Sequence, residues 1–230
     1  MLPYSPSTVA EALHAVLDQA AARHGRATLA IPGGRSPGPV LTALAGMVEP
    51  FLRQRLHLLW LDERAVPVGH AERNDVATLA AWRAGGPLPA HVHAMPAERD
   101  DPDAAAEAYT ATLAEATAGR GLDACLIGIG EDGHLASLFP RHPGLGELAP
   151  VFVVRDSPKP PPVRLTMSLP VLHRATLRAV LALGAAKGEV AVRAMRGPDP
   201  AVPVSLLPKP NTVWYLDDAA VAAWRAAGGT

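Results

Sequence analysis

The hydrophobic positions along the chain switch repeatedly between helical and strand-like patterns. Val9, Leu13, Val16, Leu17 and Ala20 recur at helical spacing up to Gly25, and Thr8 with Glu11 makes a capping box that predicts the helix start. Thr28–Ile31 reads as a short strand, followed by the PGGRSP segment Pro32–Pro37 and a helix over Gly38–Met47. Leu56–Leu61 (LHLLWL) is a continuous apolar run bounded by polar loops, the pattern of a strand buried on both faces. A helix over Asn74–Arg83, with Asn74 as N-cap, precedes an alanine-rich helix over Pro102–Ala118. Further strands are predicted at Ala124–Ile129, Val151–Val154, Arg164–Met167, Leu177–Leu183 and Thr212–Leu216. Helices are predicted over Gly184–Met195 and Asp217–Ala227, the latter capped by Asp217. Strands alternating with helices imply an α/β fold: a single-domain, Rossmann-like, mostly parallel sheet over residues 1–230, with helices on both faces. The Pro-rich stretch Ser157–Pro162 is short enough to be a loop rather than a domain boundary.

Composition narrows the function classes. A hydrophobic fraction of 49% supports a sizeable core, yet no stretch approaches the ~18–20 apolar residues of a membrane span. The net charge of −1 leaves no electrostatic footprint for nucleic acid or an anionic membrane. The N-terminal MLPYSPSTVAEAL lacks a basic region and a long apolar core, so no secretory signal is expected. The single cysteine, Cys125, lies in an apolar strand and reads as a packed hydrophobe in a reducing compartment, with a cytoplasmic location expected.

Three strand ends carry candidate chemistry. After Ile31, Gly33 and Gly34 let the backbone turn tightly and bring its N–H groups near an anion; Ser36 adds a hydroxyl, and the following helix points its amino end at the same spot. Gly-Gly alone also fits an ordinary strand-to-helix turn, and neither the P-loop nor the G-x-G-x-x-G spacing is present. After LHLLWL come Asp62, Glu63 and Arg64, three charges expected outside the sheet as a solvated loop or a site. Arg64 offers forked phosphate recognition, and Asp62, nearest the strand, is the best fixed of the three. The third end is Gly128-Ile129-Gly130-Glu131-Asp132-Gly133-His134, an acid and an imidazole at the carboxyl edge of a parallel sheet, where open α/β sheets bind ligands.

His134 is the natural general base near neutral pH, and Asp132 either supports it or caps a helix starting near Gly133. His14, His24, His57, His70, His91, His93, His142 and His173 read as surface or packing residues, and no spacing suggests a zinc site. Lys187, in the first turn after Gly184, works against the helix dipole unless an anion is bound nearby; Arg164 is a further candidate donor.

These residues together resemble the 6-phosphogluconolactonase family over nearly the full length, from Leu29 to about Tyr215. The resemblance rests on Gly33-Gly34-x-Ser36-Pro37, on Asp62-Glu63-Arg64 with Val66-Pro67 and Asn74, and on Gly128-Ile129-Gly130-x-Asp132-Gly133-His134-x-Ala136-Ser137-Leu138-Phe139-Pro140. It continues through Ser157-Pro158-Lys159-Pro160-Pro161, Arg164-x-Thr166 and Gly184-x-x-Lys187. It implies a fold related to glucosamine-6-phosphate deaminase and ribose-5-phosphate isomerase. The implied activity is hydrolysis of 6-phosphoglucono-δ-lactone in the oxidative pentose phosphate pathway, with no cofactor and no metal. The expected partner is the small phosphosugar lactone alone, for a monomer or small homo-oligomer.

Joined to that resemblance, the residues suggest His134, Asp62 and Asp132 for catalysis and Gly33, Gly34, Arg35, Ser36, Arg64, Arg164 and Lys187 for substrate binding. Two positions depart from the family pattern: Arg35, where a small polar residue is usual, and Arg73, where serine is frequent. The nearest alternative is a glucosamine-6-phosphate deaminase/isomerase. After Asp-Gly-His-x-Ala that enzyme is expected to carry Asn-Glu-Pro, whereas this chain has Ser137-Leu138-Phe139-Pro140 and no carboxylate. A non-catalytic phosphosugar-binding regulator is the alternative from another class; it normally carries a DNA-binding module, for which this chain has no spare length.

Overall fold

The computed structural model describes residues 1–229. Its strands are β1 (Leu2–Pro3), β2 (Ala27–Ile31), β3 (Leu56–Trp60), β4 (Asp62–Arg64), β5 (His91–His93), β6 (Ala124–Gly128), β7 (Val151–Val154), β8 (Arg164–Met167), β9 (Leu177–Ala182) and β10 (Thr212–Leu216). Its helices are α1 (Pro6–His24), α2 (Gly38–Met47), α3 (Pro50–Arg53), α4 (Asn74–Gly85), α5 (Pro102–Thr117), α6 (Leu169–His173), α7 (Ala185–Arg196) and α8 (Asp218–Ala226). Seven strands form one parallel sheet in the order β1-β10-β9-β6-β2-β3-β5. Every residue of β2 and β9 is buried, which requires cover on both faces of the sheet. Helix α2 packs on both α1 and α4, α7 pairs with α8, and α5 lies against β2, β7 and β8.

Strand order reverses between β2 and β6, so the connections leaving them run to opposite sides and open a crevice at their carboxyl ends. At the opposite end the two strands are tied together by Asp123, whose Oδ2 accepts from both the N–H and the hydroxyl of Thr28 at 2.8 Å.

Several expectations change. Helix α1 starts before the Thr8 capping box: Pro6 occupies its first turn, and the Ser5 hydroxyl accepts from Thr8 N at 3.1 Å. The charges Asp62–Arg64 do not leave the sheet environment. They form β4, which pairs antiparallel with β8, itself antiparallel to β7. The strands Val151–Val154 and Arg164–Met167 therefore belong to this separate three-stranded sheet rather than to the parallel one. A direct loop between β7 and β8 explains the pairing, since antiparallel neighbours need no helical crossover. The two sheets are stitched at Leu61, whose N–H donates to Ile31 O and whose carbonyl accepts from Met167 N.

Asn74 is the first helical residue of α4, not its cap. The Glu63 carboxylate, reaching from β4, takes the capping role by accepting from Asn74 N at 2.7 Å and Asp75 N at 3.0 Å. No helix begins near Gly133; residues 131–140 are turns.

The short edge strand β5 brings His91 and His93 beside His57 of β3. The rings of His57 and His91 stack at 4.2 Å, and His57 Nδ1 lies 3.0 Å from His93 Nε2. That contact needs one donor and one acceptor, so at least one ring stays neutral. Burial first, then the charges of His91, His93 and Arg26, pull His57 from 6.5 down to about 4. The stability contributed by the neutral ring is complete above about 6.5 and is lost as pH falls through about 4. The melting temperature of the wild type should therefore fall across this window more steeply than that of His57→Gln, as followed by thermal unfolding at stepped pH.

Candidate active site

Each functional side chain sits where a strand ends. The loop after β2 brings Gly33 against Asn74: a Cβ at Gly33 would lie 1.7 Å from Asn74 Oδ1, so only glycine permits this approach. Strand alternation in β4 sends Asp62 and Arg64 toward the crevice and Glu63 the other way, into α4. Asp62 is buried and hydrogen-bonded at both carboxylate oxygens: Asn74 Nδ2 donates to Oδ1 at 3.1 Å and to its main-chain carbonyl at 2.8 Å, while the Ser137 hydroxyl donates to Oδ2 at 2.7 Å. Burial pushes Glu63 up to about 7, opposed by the N–H donors of Asn74, Arg64 and Asp75.

After β6 the chain folds back tightly, with Gly130 N donating to His134 O at 2.9 Å and Gly133 N to Gly130 O at 3.0 Å. The His134 ring lies directly over Gly130, where a Cβ would come within 2.1 Å of Nδ1. Asp132 Oδ1 accepts from His134 N at 3.2 Å and lies 2.5 Å from Nδ1. Burial alone would raise Asp132; the His134 hydrogen bond and the charges of His134 and Lys159 instead hold its carboxyl well below the usual carboxylate range. The carboxylate thus accepts the hydrogen bond from Nδ1–H, which leaves Nε2 as the basic nitrogen.

One cavity of about 360 Å³ gathers these ends. Of the residues singled out from the sequence, Gly33, Gly34, Arg35, Ser36, Asp62, Arg64, His134, Arg164 and Lys187 all line it. Asp132 does not; it stands behind His134. Asp62 does not contact His134 but is bound to Asn74 and Ser137, so between the two acids it is Asp132 that supports the imidazole. Arg164 is buried and gives Nε and Nη2 to main-chain carbonyls at Lys159, Pro160 and Pro161. Lys187 sits in the first turn of α7, and burial pulls it below its ordinary value. Arg64 donates from Nη1 to Glu72 O, while its buried Nε has no hydrogen-bond partner.

Two further polar lining residues, Asn74 and Lys159, were not assigned to the site from the sequence. Asn74 bridges Gly33 and Asp62, and Lys159 Nζ lies 3.3 Å from His134 Nδ1. The lining holds five cationic side chains, Arg35, Arg64, Lys159, Arg164 and Lys187, against the two carboxylates of Asp62 and Glu131. That excess suits a dianionic phosphate ligand. Among the described residues no group of three or more histidine, cysteine or acidic side chains is arranged to hold a metal ion.

Residues 6–214 match the family model for glucosamine-6-phosphate isomerases/6-phosphogluconolactonase. The chain belongs to this family. A 6-phosphogluconolactonase of Streptomyces coelicolor is 37% identical over 223 residues, covering 90% of this chain and 85% of the relative. That of Mycobacterium tuberculosis is 36% identical, covering 88% and 87%. The solved 6-phosphogluconolactonase of Thermotoga maritima superposes with a TM-score of 0.83 over 95% of this chain and 97% of its own; at 23% identity this likeness speaks for the fold. No helix in the described residues is long and apolar enough to cross a membrane.

The family departure at Arg73 has a local explanation. Its guanidinium is buried and pairs with Asp75 Oδ2 at 2.8 Å and Glu98 Oε2 at 3.0 Å, and it donates to Met95 O at 2.9 Å. It braces the start of α4 and does not line the cavity. Arg35, the other departure, is exposed at the cavity rim.

The Gly33–Asn74 approach makes a direct prediction. Gly33→Ala should displace Asn74 and cost about 1–3 kcal/mol, the usual penalty of overpacking, read by chemical denaturation. A Gly33→Ala protein of unchanged stability would show that Asn74 is free to move aside.

Proposed function

We propose that this chain hydrolyses 6-phosphoglucono-δ-lactone to 6-phosphogluconate, the second step of the oxidative pentose phosphate pathway, by direct attack of water with His134 as general base. The observation that carries this reading is the shared cavity, in which the Gly33–Ser36 loop and its surrounding cations face the same space as an imidazole backed by a carboxylate. The names of relatives at 36–37% identity support it.

The phosphate docks on the Gly33–Ser36 loop, with Arg35, Arg64 and Lys187 supplying charge. Anchoring the remote phosphate orients the lactone carbonyl toward His134, so binding energy far from the reacting bond lowers the entropic part of the barrier. Nε2 takes a proton from water as its oxygen bonds to the lactone carbon. Asp132 stabilises the imidazolium through Nδ1–H. As the tetrahedral intermediate collapses, the ring oxygen leaves and receives the proton from Nε2. The product acid then ionises to solvent.

Asp62 organises the site. Its carboxylate holds Asn74 and Ser137, which come from different elements. Ser137 is fully buried and donates to Asp62, not to histidine, so its hydroxyl is not placed to act as a nucleophile. The deaminase reading lacks its carboxylate: Leu138 and Phe139 are packed in the interior.

The test is lactone hydrolysis measured above the spontaneous background. His134→Ala should lose about 10²–10⁴-fold in kcat, the usual worth of general-base catalysis. Lys187→Ala should instead raise KM roughly 10- to 100-fold, corresponding to about 1.5–3 kcal/mol for a hydrogen bond to a charged group. Full activity in His134→Ala removes the general-base assignment, and deamination of glucosamine 6-phosphate by the wild type would favour the alternative enzyme.

A further inference from the structure

The loop between β7 and β8 is held by more than its prolines. Ser157 N donates to Pro162 O at 3.0 Å, and the Ser157 hydroxyl donates to Lys159 O at 2.7 Å while accepting from Lys159 N at 3.2 Å. Beneath the loop, Arg164 directs Nη2 to Lys159 O at 3.0 Å and Pro160 O at 2.9 Å, and Nε to Pro161 O at 3.2 Å. A guanidinium that is only 4% exposed must find acceptors for its donors, and three successive carbonyls supply them. Arg164 is itself in register with Arg64 across the β4–β8 pair, so the loop is indexed to the strand that carries Asp62.

This scaffolding places one charged side chain beside the imidazole. Lys159 Nζ lies 3.3 Å from His134 Nδ1 and 3.7 Å from Asp132 Oδ2, and the residue lines the cavity. The Nδ1 proton is already directed to Asp132 at 2.5 Å, so the ammonium is not needed to fix the tautomer. Its four-carbon stem leaves it free to follow charge that appears beside the ring. Lys187, at the first turn of α7, lies among Glu131, Asp217 and Arg35 and also feels the Lys159 charge, but it makes no contact with the His134 ring.

We infer that Lys159 is a catalytic residue whose ammonium stabilises the oxyanion formed during lactone hydrolysis, and that Arg164 is the positioning residue that holds Lys159 in place. The inference rests on the lactonase reading above. As water adds, its proton passes to His134 Nε2 and the carbonyl π pair moves to oxygen, giving an alkoxide beside the Lys159 ammonium. The ammonium keeps its proton throughout. When the alkoxide reforms the carbonyl, the bond from carbon to ring oxygen breaks, and Nε2 returns the proton to the departing oxygen. Charge on the alkoxide exists only in the intermediate and the states flanking it, so the interaction lowers the barrier without tightening substrate binding.

The experiment measures kcat and KM on 6-phosphoglucono-δ-lactone, above background, for Lys159→Ala, Lys159→Arg, Arg164→Met, Arg164→Lys and the double variant Lys159→Ala/Arg164→Met. Lys159→Ala should lose about 10²–10³-fold in kcat, as for removal of an oxyanion donor, with KM nearly unchanged, and Lys159→Arg should recover part of the loss. Arg164→Met should lower kcat in the parent but add little on top of Lys159→Ala; Arg164→Lys serves the same comparison if the methionine variant is poorly folded. A Lys159→Ala protein with raised KM and intact kcat would make this lysine a phosphate ligand and overturn the inference. Unchanged kinetics, no recovery with arginine, or fully additive losses with Arg164 would also overturn it. A wild type with no rate above spontaneous opening would sink the lactonase reading itself, an outcome distinct from an active wild type indifferent to Lys159.

Discussion

The buried carboxylate of Asp62 is the constraint around which the site is assembled. A charge removed from water must have its lone pairs met by donors, because an unpaired buried charge costs several kcal/mol. Asp62 meets this requirement with two side chains from distant parts of the chain, Asn74 at the start of α4 and Ser137 in the turns after β6. Asn74 in turn packs on Gly33 after β2. One desolvated acid thereby locks together three segments that leave the sheets separately, and His134 lies three residues before Ser137. Glu63, facing the other way on the same strand, caps α4 and holds Asn74 at its height.

Around this rigid centre the charges are graded by exposure. Asp132 keeps a side-chain exposure of 36% and stays ionised beside His134, so it accepts from Nδ1–H and orients the ring. Arg164 and Arg73 are nearly fully buried and spend their donors on carbonyls and carboxylates of the protein. Arg35 and Lys159 remain exposed at the cavity rim. Burial separates the cations bonded within the protein from those exposed at the rim.

Five strands of the central sheet were readable because they are short, mostly apolar runs punctuated by glycine or charge; the two edge strands, β1 (Leu2–Pro3) and β5 (His91–His93), are too short and too polar to show such a run. The antiparallel sheet was not readable. Asp62–Arg64 is a charged triplet with no hydrophobic period, and it becomes a strand only because β8 offers it backbone partners. The helix cap at α4 was misassigned for a related reason: the capping carboxylate comes from Glu63, eleven residues earlier, beyond any local spacing rule. Likewise nothing adjacent to Ser157–Pro162 indicates that Lys159 meets His134, since the contact depends on how Arg164 folds the loop.

The sequence by itself determined the parallel architecture and the glycine turn after β2, because each rests on periodicity or on residues within one turn of each other. Tertiary structure alone decided that Asp132 rather than Asp62 is bonded to the imidazole, that Asn74 and Ser137 hold Asp62, and that Lys159 reaches the His134 ring. Those contacts join residues 12 to 75 positions apart, apart from the Asp132–His134 pair itself. The desolvation of a charge selects such partners only once the core has closed, so no local pattern in the chain records them.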